Sequence, residues 1–147
     1  MCLIAIAIRS RNADKRDATK RRNNMTYSVE IKETSRQLSA KERVMLKDTS
    51  DCVRLDKATA DEAILIDVDY WAELSVHNEK SEDKDYANYV IVDKNGTKYV
   101  TGSNSFWNSF QNIWSEADGI DEPWELKVFQ LESKNRAGKF FITCSMI

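Results

Sequence analysis

The stretch from Ile64 to Ile147 changes its hydrophobic period in a fixed order, from two residues to helical spacing and back to two. That order restricts the folds open to the chain more than any other feature. Ile64, Ile66, Val68 and Tyr70 alternate with Leu65, Asp67 and Asp69, the signature of a half-buried strand. Apolar spacing resumes at Leu74 and Val76 after a slip near Ala72, so this strand is long and bent. Residues 86–93 and 97–101 are rich in β-branched and aromatic side chains. Between them stands Asn95-Gly96, a pair suited to a two-residue type I′ turn because both of its central residues need positive φ. Phe106, Phe110, Ile113, Trp114 and Ala117 then fall at helical spacing, with Ser103 or Ser105 to cap the start and Gly119 to end it. Residues 124–131 and 139–145 alternate again across a polar, turn-rich loop.

Three strands, one amphipathic helix and two further strands are the element order of an OB-fold, a small barrel that often binds single-stranded nucleic acid or oligosaccharide. The expected class is therefore mainly β with α, an OB-fold-like five-stranded barrel (β-β-β-α-β-β) carrying an N-terminal extension. A strand opening at Thr26-Tyr27-Ser28 and a helix over Ala40–Lys47, announced by the Ser39-x-x-Glu42 capping box, form that extension. Residues 48–62 read as loop, with a short strand at Cys52 to Leu55.

The 147 residues, fourteen of them aromatic, suit one domain with one sizeable core. Residues 1–24 stand apart, with seven Lys or Arg against two Asp, which leaves a charge of about −7 on residues 25–147. In that leader the apolar residues precede the charges and are too few for a membrane span or an ordinary signal peptide. It is either a basic arm that touches phosphates or a neighbouring subunit, or sequence upstream of the true start. Met25 leads directly into a strand pattern and favours the second reading; in both cases the composition predicts disorder before Met25. Cys2, Cys52 and Cys144 are odd in number and far apart, which implies no disulfide framework and a reducing cytoplasm as the default compartment.

Catalysis and cofactors find little support. His77 is the sole histidine, no Cys-x-x-Cys occurs, and Gly96, Gly102, Gly119 and Gly138 are scattered singly rather than gathered in a phosphate loop. Asp67, Asp69 and Glu73 on or near the first strand are the carboxylates that could hold a divalent cation or act as an acid/base pair, but alternation already explains Asp67 and Asp69 as its wet face, and Glu79, Glu82, Asp83 and Asp85 read as a solvated loop. The sequence predicts a non-enzyme with neither metal nor cofactor.

A binding surface has more in its favour. In an OB barrel the usual ligand face is that of the second and third strands, between the loops joining strands one to two and four to five. A type I′ turn would set Val92 opposite Tyr99 and Val90 opposite Thr101, making Tyr99, together with Tyr89 or Tyr86, candidate stacking groups. Trp71 breaks the alternation of the first strand and is a candidate exposed aromatic. Lys134, Asn135, Arg136 and Lys139 form a basic hairpin tip in an otherwise acidic domain, and Lys127, Phe129 and Phe141 continue from it along the flanking strands. Lys80 and Lys84 in the opposite loop would complete a clamp.

The segments Asn88-Tyr-Val-Ile-Val-Asp-Lys-Asn-Gly96, Gly102-Ser-Asn-Ser-Phe-Trp-Asn-Ser-Phe110 and Ser133-Lys-Asn-Arg-Ala-Gly-Lys-Phe-Phe-Ile-Thr-Cys144 resemble small proteins of phages and conjugative plasmids of Gram-positive bacteria, some of them OB-fold single-stranded DNA-binding proteins. The resemblance covers residues 25–147. It implies sequence-nonspecific binding of single-stranded DNA, or of RNA, with self-association along the strand, in replication, recombination or transfer of a mobile element. The acidic balance points to an alternative, a protein-binding module that presents carboxylates where DNA phosphates would lie, as an anti-defence or DNA-mimic protein. Oligosaccharide binding has only the fold and its aromatics behind it.

Overall fold

The computed structural model describes residues 27–147; the leader and the Met25-Thr26 opening of the first strand lie outside them. Eight strands and three helices follow one another: β1 (Tyr27–Thr34), α1 (Ala40–Lys47), β2 (Val53–Arg54), α2 (Leu55–Ala58), β3 (Ile64–Ile66), β4 (Val68–Asn78), β5 (Asp85–Asp93), β6 (Lys98–Thr101), α3 (Asn104–Ala117), β7 (Leu126–Glu132) and β8 (Phe140–Met146). The chain is mainly β with some helix, and the strand-hairpin-helix-hairpin order from β3 onward is the one expected.

The strands form two open sheets, ordered β1-β4-β5-β6-β2 and β3-β7-β8, instead of the closed five-stranded barrel. Closure would need β8 to pair with β6. That edge of β6 is taken by β2, which runs parallel to it with Val53 opposite Tyr99 and Arg54 opposite Val100. The single turn of α2 follows at once and drives Leu55 fully into the core. Gln130 of β7 ties it there, its Nε2 donating to the Asp56 carbonyl at 2.7 Å and to Thr59 Oγ1 at 3.0 Å. The β2–α2 segment thus fills the place where the barrel would close.

The long strand is interrupted at Asp67 and its register against β5 slips between Val68 and Tyr70, a little earlier than the sequence spacing suggests. The slip puts an extra residue at Asp69 and reverses the alternation beyond it. Ile66, Val68 and Trp71 consequently face one core, while Tyr70, Ala72 and Leu74 face another. The main core lies between the two sheets and is filled by Phe106, Trp107 and Phe110 of α3. Ser103 starts this helix by accepting from the Phe106 amide, and the chain leaves it through Gly119 at φ 83°.

The second core is on the other face of the five-stranded sheet, where Leu46 of α1, with Leu38 and Cys52 beside it, covers Val90, Val92 and Val100, and Val29 and Ile31 of the edge strand β1 extend the apolar surface. The capping box of α1 is formed, with Ser39 and Glu42 bonding each other's backbone amides. Its one buried residue is Leu46. Lys98 holds the C-terminal end, donating to the carbonyls of Met45 and Asp48 at 2.7 and 2.9 Å and pairing with Asp51 at 2.8 Å.

The β5–β6 register differs by one residue from the expected type I′ pairing: Ile91 lies opposite Tyr99 and Tyr89 opposite Thr101. Of the turn residues only Gly96 has positive φ, at 93°, and its amide donates to the Asp93 carbonyl at 2.9 Å. This is a type I turn followed by a glycine bulge, one residue longer than type I′. Asp93 and Asn95 favour it by accepting from the backbone amides two residues on, Asn95 and Thr97.

Because Leu46 is the one buried side chain of α1, Leu46→Ala is expected to destabilise the protein by about 2–5 kcal/mol. Val44→Ala, at an exposed position of the same helix, should change stability by less than about 0.5 kcal/mol. Urea denaturation of the two variants checks both values.

Candidate nucleic-acid interface

The pairing of β7 with its neighbours decides which side chains share a surface. Leu65, Lys127 and Ser145 lie side by side, then Phe129 opposite Thr143, then Leu131 opposite Phe141. Their ladder neighbours Ile64, Val128, Ile142 and Cys144 point the other way, into or against the main core. Alternation therefore leaves Lys127, Phe129, Leu131, Phe141, Thr143 and Ser145 on the outer face. Leu131 and Phe141 remain 47% and 41% exposed. From Lys127 to Leu131 on β7, and from Phe141 to Ser145 on β8, there is no carboxylate. Lys127 Nζ sits 5.6 Å from the centroid of the Phe129 ring.

At the end of this face the hairpin tip folds back on itself. Ser133 donates to the Lys139 carbonyl at 2.7 Å, Lys139 to the Arg136 carbonyl at 3.1 Å, and Gly138 to Glu132 Oε1 at 3.0 Å. The last bond turns the nearest carboxylate toward backbone rather than toward a cation. Gly138 has φ 80°, which an L side chain adopts only with strain. Lys134, Asn135, Arg136 and Lys139 are all exposed, and no ion pair to the three cations is found among the described residues. At the other end of β7 a groove of about 670 Å3 around Trp124 is lined by Asp67, Asp121, Glu122 and Glu125 and by Lys94, which pairs with Asp67 at 3.5 Å, so that end carries a net negative charge.

Seven of the twelve sequence candidates thus share one region: Lys127, Phe129 and Phe141 on the face, and Lys134, Asn135, Arg136 and Lys139 at its tip. The other five lie elsewhere. Trp71, expected to be exposed, is 5% exposed, because the extra residue at Asp69 turns it inward edge-on to Trp107 and Trp114, with centroids 5.3 and 6.4 Å away. Tyr89 is buried flat against Trp107 at 4.6 Å and bonds Asn104 of α3 through its hydroxyl. Tyr99 is half-buried against the same core, where the one-residue change of register directs it. The opposite face of β5–β6 is closed by α1 and its flanking residues Leu38 and Cys52, so the usual ligand surface of an OB barrel is not open here.

Lys80 and Lys84 follow the C-terminal end of β4, whereas the basic tip lies beyond the N-terminal end of β3, since β7 runs antiparallel to β3. Lys84 is held by Glu79 at 3.5 Å. Sequence reasoning missed Leu65 and Leu131. Leu131 follows from the same alternation as Lys127 and Phe129, but Leu65 reaches the face only through the β3–β7 pairing, which no local pattern encodes.

Among the described residues no group of three or more His, Cys, Asp or Glu side chains is placed to hold a metal ion, and no helix is long and apolar enough to cross a membrane. Burial pushes the Cys144 thiol up to about 12 and the Cys52 thiol to about 11, which keeps both protonated and unreactive near neutrality. No protein-family model, no curated protein and no solved structure matches this chain.

The β4–β5 loop carries a titratable clasp. His77 Nδ1 lies 2.7 Å from Asp85 Oδ1 and Nε2 lies 2.7 Å from Glu79 Oε1. Both ring nitrogens can donate only in the imidazolium form, and the bonds to Asp85 first and Glu79 second raise the His77 pKa above its ordinary value of 6.5. Because the folded-state value is the higher, the clasp's contribution to stability is complete below about 6.5 and is lost as pH rises through the raised value. Thermal unfolding followed across that range should show a decline in Tm with rising pH that His77→Gln flattens.

Proposed function

We propose that the outer face of β3-β7-β8, with the basic β7–β8 tip, binds single-stranded nucleic acid with little regard to sequence, DNA being the first candidate. The carrying observation is the convergence of Lys127, Phe129 and Phe141 with Lys134, Arg136 and Lys139 on a surface whose outward β7 and β8 residues, Lys127, Phe129, Leu131, Phe141, Thr143 and Ser145, include no carboxylate. A base can stack on either phenylalanine whatever its identity, while the cations release counterions from the phosphates. Lys127 already lies over Phe129, and an arriving base would take its place and leave the ammonium free for the adjacent phosphate.

The element order supports an OB-like reading, with the β2–α2 segment occupying the seam between β6 and β8 and the ligand surface moved from the second and third barrel strands to the fourth and fifth. A small binder of this kind, acting in the cytoplasm in replication, recombination or transfer of a mobile element and able to line up along the strand, is the role we infer. Leu65 and Leu131, exposed beside the aromatics, favour a protein-binding module as the second reading.

Fluorescence anisotropy of a labelled strand of roughly 30 nucleotides, several times the smallest site of about 4 that one OB domain covers, tests the reading. Affinity should fall steeply with salt, and replacing Lys134, Arg136 and Lys139 by alanine should flatten the log–log salt slope by about 2. Phe129→Ala and Phe141→Ala should each weaken binding by about 1–3 kcal/mol. Absence of binding at low salt would leave the protein-binding reading.

A further inference from the structure

The two sheets end in four edge strands, β1, β2, β3 and β8, and three of these edges are protected. β1 carries Glu30, Lys32 and Glu33 and a register break between Ile31 and Glu33, while β2 is two residues long and β3 three. Charges, bulges and shortness are the usual means by which an edge avoids pairing with another chain. β8 has none of them. Its seven residues, Phe140-Phe-Ile-Thr-Cys-Ser-Met146, include no charge, proline or glycine, and they pair with β7 without a break.

The ladder fixes which groups this edge offers. Glu125 and Ile147 exchange both of their backbone hydrogen bonds, at 3.0 and 2.9 Å. Alternation therefore gives the odd-numbered residues of β8 to β7 and turns the N–H and C=O of Phe140, Ile142, Cys144 and Met146 to the other side. Among the described residues no hydrogen bond reaches these groups, from α3 or from any other element. The side chains at the two ends of this row, Phe140 and Met146, are 62% and 40% exposed, whereas Ile142 and Cys144 between them reach the main core.

We propose that β8 pairs antiparallel with β8 of a second copy of this chain, across a two-fold axis at Thr143, and joins the two three-stranded sheets into one. Ile142 then lies opposite Cys144 of the second copy and Phe140 opposite Met146 of the second copy, and each such pair exchanges both N–H···O bonds. This centre is the one that pairs all four outward-facing residues of each copy. It also brings each exposed phenylalanine against a thioether, a contact that is favourable in itself and removes both side chains from water. On the outer face Thr143 meets its own counterpart, a favourable cross-strand pair. The inference uses no part of the nucleic-acid reading, but it sets the outer faces of two copies side by side.

Sedimentation equilibrium of the full chain without nucleic acid, from micromolar to millimolar concentration, tests the pairing. A monomer–dimer equilibrium is expected. Thr143→Lys sets like charges opposite each other at the axis and should weaken the dimer at least about tenfold, with far-UV circular dichroism unchanged. Oxidation of cysteine variants reads the register. Thr143→Cys places two thiols on residues about 4.5 Å apart at Cα and should cross-link, whereas Ser145→Cys places them roughly 13 Å apart and should not, as judged by the mass of the cross-linked peptide. A monomer throughout the concentration range overturns the proposal. So does a dimer that Thr143→Lys leaves intact, or one cross-linked by Ser145→Cys in place of Thr143→Cys.

Discussion

Residues Ile64 to Asn78 serve two sheets at once, and each part must bury a different set of side chains. The β3 part pairs with β7 and turns Ile64 and Ile66 toward the core between the sheets. The β4 part pairs with β1 and β5, and beyond Asp69 its even-numbered residues Tyr70, Ala72 and Leu74 turn away from that core. An unbroken strand could not satisfy both requirements, because a period of two fixes each side chain's face along its whole length. The break at Asp67 and the extra residue at Asp69 reset the alternation. Trp71 is thereby placed where Trp107 and Trp114 meet it edge-on, an arrangement worth roughly 0.5–1.5 kcal/mol per pair beyond area burial.

The functional geometry follows from that division. Once Tyr70, Ala72 and Leu74 face outward, they and Val90, Val92 and Val100 form an apolar surface that needs a cover, and Leu46 of α1 with Leu38 and Cys52 supplies it. Arg36 reinforces the cover, its guanidinium 4.2 Å from the Tyr70 ring centroid and its Nη2 3.1 Å from Glu42. The side of the molecule where an OB barrel ordinarily meets its ligand is closed in consequence. The three-stranded sheet has no such cover among the described residues. Its outer side keeps aromatic and aliphatic groups in contact with water, bounded by cations at one end and by the acidic groove around Trp124 at the other. That polarity confines the exposed positive charge of a protein with an acidic excess to one part of its surface.

Much of the architecture is written in local pattern. The capping box at Ser39, the cap at Ser103, the aromatic stripe of α3 and the alternation of β7 and β8 each follow from short-range stereochemistry, and each appears where the spacing puts it. What escaped are matters of tertiary competition. The choice between a two-residue turn and a glycine-bulge turn at Asn95-Gly96 depends on the side chains of Asp93 and Asn95, and it moved Tyr99 by one position. The occupation of the β6 edge by β2 joins residues 53–54 to residues 99–100, a parallel pairing that no periodicity reports. The basic tip was legible because its exposure requires only a hairpin, whereas the burial of Trp71, Tyr89 and Tyr99 depended on registers set elsewhere.

The central claim is that the free outer face of β3-β7-β8, rather than that of β5–β6, meets the ligand. Amide and side-chain chemical shifts recorded by NMR during titration with a short single strand test it most directly. The account predicts saturable shifts concentrated at Lys127, Phe129, Leu131, Phe141, Thr143 and the tip from Lys134 to Lys139, with Val90, Val92 and the α1 residue Leu46 unmoved. Shifts concentrated on β5, β6 and α1, with the β7–β8 face silent, would contradict it.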